Sequence, residues 1–128
     1  EALAKRSVWI VSKSSNANTI THYLSGRSEA VAKVVADLED AFPGAVISAR
    51  PCAMVAAIGS DISASGLVAR ALAALDEAGV QVLALQHQVR NVDMQFVIER
   101  SDFDDAVTVL HRALVESNRA DVNSRVAA

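Results

Sequence analysis

Apolar residues recur at three- and four-residue spacing in three segments of the chain, and each predicts an amphipathic helix. The first covers residues 28–42, with Val31, Val34, Val35, Leu38 and Phe42 on one stripe and Glu29, Lys33, Asp37 and Asp40 largely opposite. Pro43-Gly44 stops it. The second covers residues 64–78, buries Leu67, Val68, Ala71, Leu72 and Leu75, and ends at Gly79, the residue best suited to a left-handed cap. The third begins at Ser101, where Ser-Asp-Phe-Asp reads as a capping box, and carries the stripe Phe103, Ala106, Val107, Leu110 and Leu114. Between the helices the period falls to two, the signal of a strand. Ile20, His22 and Leu24 alternate with Thr19, Thr21 and Tyr23, and Val92, Met94, Phe96 and Ile98 alternate with Asp93 and Gln95. Further strands are predicted at residues 8–12, 45–49, 53–58 and 80–86, with a hairpin connection near Arg90-Asn91.

The pattern repeats. Shifted by 72 positions, the stripe Val31, Val34, Val35, Leu38 and Phe42 lands on Phe103, Ala106, Val107, Leu110 and Leu114. The same shift carries Ile20, His22 and Leu24 onto Val92, Met94 and Phe96, Val8 and Ile10 onto Val80 and Val82, and Leu3 onto Leu75. The second copy opens with a strand and helix that the first lacks except for a last turn, so the first copy reads as truncated by on the order of 25 residues. A complete copy runs strand, helix, strand, strand, helix, with a closing strand to follow. That is the split βαβ, ferredoxin-like order of an α+β fold, an antiparallel sheet with both helices on one face. The expected division is a partial first unit at 1–50, a second unit at 51–118 and a tail or closing strand at 119–128. Residues 45–49 either close the first unit or belong to an exchanged arrangement, and residues 119–127 are weakly strand-like.

Composition narrows the functional classes. In 128 residues there is room for one ordinary domain or two very small ones, too little for a complete ATP-dependent enzyme. A hydrophobic content of 52% and a charged content of 21% predict a folded core. The net charge of -3 would repel a phosphate backbone, and five scattered aromatics make no stacking platform, so nucleic acid is not an expected partner. No run reaches the roughly 18 apolar residues of a membrane helix and no signal peptide opens the chain, which predicts a cytoplasmic protein. Cys52, His22, His87 and His111 are too widely spaced for a zinc site, and no phosphate-binding glycine loop of the G-x-x-x-x-G-K-[ST] type is present. No catalytic or metal-ligating residue is assigned.

The run from Ala57 through Gly59, Gly66 and the helix to Leu75, followed by Ala-Gly-Val-Gln-Val-Leu, resembles the opening of an ACT domain. With the tandem arrangement, the segment Asn18-Thr-Ile-Thr-His-Tyr-Leu, and Val92-Asp-Met-Gln-Phe-Val-Ile followed by Asp-Phe-Asp-Asp-Ala-Val, the chain is similar to the C-terminal regulatory region of aspartate kinases from Leu3 to Leu114. The resemblance implies tandem ACT units that take feedback from an amino acid, with lysine and threonine as the candidates, and a homodimer formed through those units. It implies a parent enzyme of the lysine, threonine and methionine pathway that phosphorylates the side-chain carboxylate of aspartate with MgATP. The catalytic domain would then precede this chain, which itself would hold no cofactor. The alternative is a stand-alone tandem-ACT sensor that controls a partner protein; the truncated first copy favours the enzyme.

The same resemblance places an effector site. Its second-strand side falls on Ser7, Val8 and Trp9, and the turn before the third strand on Lys13, Ser14, Ser15 and Asn16. In the second unit the loop Ser60, Asp61 and Ile62 is the counterpart of the missing half, where helix N-terminal amides would accept a carboxylate. Trp9 stands where lysine-sensitive relatives carry an acid and offers an ammonium group no charge; an anchor between units is its simpler role. Asp93 and Gln95 are expected to face solvent or a partner sheet, and His111 and Arg112 to complement a helix C-terminus.

Overall fold

The computed structural model describes residues 2–59, 66–87 and 93–116. The chain divides into two compact units, Glu1–Arg50 and Pro51–Ala128. The first contains the short helix α1 (Ala2–Lys5), the strands β1 (Trp9–Ser15) and β2 (Ile20–Ser25), and helix α2 (Ser28–Ala41). The second contains β3 (Ala53–Ile58), α3 (Leu67–Glu77), β4 (Val82–His87), β5 (Asp93–Ile98) and α4 (Phe103–His111).

Unit two carries the expected α+β plan. Its sheet has the order β3-β5-β4, antiparallel throughout, with Ala53 opposite Ile98 on one side of β5 and Val82 opposite Ile98 on the other. This is the order of the first three strands of a ferredoxin-like unit, in which the crossover helix carries the chain past a central third strand. The period-two alternation of β5 delivers Met94, Phe96 and Ile98 to the helix side, where all three are buried with Val55 of β3, Leu67, Ala71 and Leu75 of α3, and Ala106 and Leu110 of α4. No polar side chain among the described residues is buried. The predicted closing strand at 119–127 and the hairpin turn near Arg90-Asn91 lie outside the described residues.

Unit one is an incomplete copy, a two-stranded antiparallel sheet beside α2. Val8 and Val34 are its buried residues, at 3% and 2% exposure. Gly26, just beyond β2, lies so near β1 that a Cβ there would stand 3.0 Å from Val8 Cγ2. The Arg6 guanidinium pairs through Nε and Nη2 with both carboxylate oxygens of Asp37 on α2, each at 3.2 Å, tying α1 to the helix.

Several expectations are corrected. Residues 45–49 form no strand; they follow a turn closed by the Ala45 N–H donating to the Phe42 carbonyl (2.9 Å). Phe42 caps α2 instead of packing under it and is 60% exposed. Ser101 does not open α4 with a capping box: a 3-10 turn, Arg100–Asp102, leads into the helix, Asp102 is the N-cap residue, and no side chain caps it. Phe103 and Val107 are exposed, because the buried stripe of α4 narrows to Ala106 and Leu110. The helix then widens into a π-turn, Arg112–Glu116, which brings His111 Nδ1 to 3.4 Å from Glu116 Oε1 five residues on.

The duplication itself survives, with one amendment. Both β-ladders break register at the same place, between Ile10 and Ser12 in the first unit and between Val82 and Ala84 in the second, as the 72-residue offset requires. The facing strands do not keep that offset. Lys13 pairs with His22, but its counterpart Leu85 pairs with Phe96, so β5 follows β2 by 74. The helices return to 72, since Val34 and Ala106 are both buried. From the equivalent strand residue to the equivalent buried helix residue, unit two therefore uses ten positions, Phe96 to Ala106, where unit one uses twelve, His22 to Val34. The 3-10 turn there rises about 2.0 Å per residue against 1.5 Å for an α-turn, which lets fewer residues span the gap.

Candidate functional site

The residues assigned to the effector site in unit one all lie on or beside the β1–β2 hairpin, and the local sequence dictates what each can offer. Ser7 ends α1 in the left-handed region, φ 54°. The next N–H, that of Val8, donates back to the Leu3 carbonyl at 3.2 Å. Unit two has the same closure in complete form. Gly79 has φ 74°, its N–H donates to Asp76 (2.9 Å), and the Val80 N–H donates to Leu75 (2.9 Å), the double bond of a Schellman cap. Ser7 thus stands where the repeat has glycine, and its backbone is set by the helix end. Val8, like Val80, is the apolar residue that follows such a cap, and its side chain is buried.

Trp9 begins β1 opposite Ser25 and is 67% exposed. Lys13 and Ser14 lie near the other end of the strand, opposite His22 and Thr21, both exposed. Asn16 belongs to the hairpin turn: its Oδ1 accepts the N–H groups of Asn18 (3.0 Å) and Thr19 (2.9 Å), while its own N–H donates to the Thr19 carbonyl (2.9 Å). This is an Asx turn, in which the side chain stands in for a backbone acceptor. Asn16→Ala is expected to cost about 1 kcal/mol and to loosen the hairpin, read as faster amide exchange at Asn18 and Thr19. Unchanged exchange there would show that the turn holds without the carboxamide.

The structure therefore brings the site candidates of unit one onto one hairpin but not to one point. A strand rises about 3.3 Å per residue, so Trp9 and Ser14 stand roughly 16 Å apart along β1, farther than one free amino acid spans. Ser7 and Trp9 form one group and Lys13, Ser14 and Asn16 another. The unit-two candidates Ser60, Asp61 and Ile62 lie outside the described residues. Among the described residues no group of three His, Cys, Asp or Glu is placed to hold a metal ion, and no helix is long and apolar enough to cross a membrane. Asp93 and Gln95 lie on the side of β5 away from the α3 and α4 core and are half-buried, with Gln95 Nε2 donating to Asp93 Oδ2 at 2.8 Å. The structural roles of Ser7 and Asn16 were missed from sequence, although the 72-residue shift of Ser7 onto Gly79 contained the signal for the first.

Residues 55–114, the core of unit two, match the ACT domain family. The chain is 39% identical over 121 residues to the aspartate kinase Ask_Ect of Stutzerimonas stutzeri (strain A1501), an alignment that covers 94% of this chain and 25% of that protein. It thus spans about a quarter of this curated relative. Among solved structures, the aspartate kinase of Clostridium acetobutylicum superposes with a TM-score of 0.77 at 17% identity, over 90% of this chain and 27% of the other. The ligand-free regulatory subunit of aspartate kinase from Thermus thermophilus gives 0.71 at 18% identity, over 88% of this chain and 77% of the other. At such identities the two structures speak for the fold alone. With an ACT match on unit two, a two-stranded first unit, and an alignment running through both, unit two belongs to the ACT domain family and the chain is homologous to part of an aspartate kinase.

Proposed function

We propose that this region exerts amino-acid feedback on an aspartate kinase and helps to join its subunits. The observation that carries the reading is an alignment to an aspartate kinase at 39% identity over 121 residues, long enough to run through both units. The reaction, transfer of the γ-phosphoryl group of MgATP to the side-chain carboxylate of L-aspartate, belongs to a catalytic part outside these 128 residues, in a cytoplasmic enzyme. The first unit takes the effector, lysine or threonine, by one end of β1: either beside Trp9 or at Lys13 and Ser14. The loop Ser60, Asp61 and Ile62 of the second unit is the other candidate for carboxylate binding. Two copies associate through their ACT units; a two-stranded sheet is marginal on its own, and that of unit one leaves Trp9, Ile10, Val11 and Ile20 exposed.

Calorimetry and sedimentation on two proteins test this reading. Residues 1–128 alone should sediment as a dimer at micromolar concentration, form no aspartyl phosphate from MgATP and aspartate, and bind lysine or threonine weakly or not at all. The whole enzyme should bind at least one of them, and Trp9→Ala or Lys13→Ala should weaken that binding, whichever marks the occupied end. A charged hydrogen bond contributes about 1.5–3 kcal/mol, so loss of one clamp corresponds to roughly tenfold or more in affinity. Micromolar binding by residues 1–128 would move the site to Ser60 and Asp61. A whole enzyme whose activity and binding ignore both amino acids would overturn the feedback role, and a monomer the association.

A further inference from the structure

We draw no further inference here: the strongest candidate, the exposed apolar surface of the β1–β2 hairpin around Trp9, Ile10, Val11 and Ile20, is already invoked for association of copies, and nothing in the structure shows what covers it.

Discussion

Phe96→Ala is expected to destabilise the second unit by about 3–5 kcal/mol, the largest effect of any single substitution considered for this chain. Phe96 is fully buried at the middle of the central strand, with Val55 opposite on β3 and Leu85 opposite on β4. Leu75 and Ala71 of α3 and Ala106 of α4, also fully buried, belong to the same cluster, so on the helix side the resulting cavity is walled by buried residues. A collapse that fills it would have to move both helices. Against a typical domain stability of about 5–15 kcal/mol, the loss leaves the unit near its unfolding threshold. Urea unfolding followed by circular dichroism measures the change. Tryptophan fluorescence supplies a control, because the chain's one tryptophan, Trp9, is in the first unit. A shift below about 1 kcal/mol would mean that Phe96 does not close the core.

The two left-handed helix ends give the second prediction, in which equivalent positions respond with opposite sign. Gly79→Ala is expected to cost about 1–2 kcal/mol, since a side chain in the left-handed region carries that penalty. A Cβ at Gly79 would meet nothing within 4 Å, so the loss is conformational and not steric. Ser7 already bears the penalty at φ 54°. Ser7→Gly relieves it while enlarging the freedom of the unfolded chain, and a gain of about 0.5 kcal/mol should remain. Midpoints of the two variants measured side by side check the pair; stabilisation by Gly79→Ala would show that the Val80 and Leu75 contacts do not fix this helix end.

Much of the fold was legible because burial writes itself into spacing. Strand β3 and the helix stripe Leu67, Ala71 and Leu75 stand where periodicity placed them. The misreadings have identifiable causes. Alternation of period two cannot distinguish an offset of 72 from one of 74, so only the ladder could show that Phe96 answers His22. Phe103 and Val107 fit the helical stripe, but a helix with one partner face buries a narrower band than its apolar residues occupy. Residues 45–49 carry the β-branched Val46 and Ile47 that suit a strand, yet a strand exists only where another edge accepts its backbone bonds. For the candidate site, sequence located the hairpin but not the distance between its ends. It also could not show that Asn16 spends its carbonyl oxygen on the turn, since an Asx turn and a ligand contact call for the same residue.

The central place of β5 also sets an order of assembly. The nearest pair of the β4–β5 ladder, His87 and Met94, is only seven positions apart, whereas the nearest pair of the β3–β5 ladder, Ile58 and Asp93, is thirty-five apart. Closing the longer loop costs more chain entropy, by about 1.4 kcal/mol on a logarithmic dependence on length. The β4–β5 ribbon is therefore expected to form first, with β3 joining its far side once α3 has folded back across that face, an order that amide exchange during refolding would check. On this route the rate at which the unit forms is governed by the ribbon, and the rate at which it comes apart by the hold of β3.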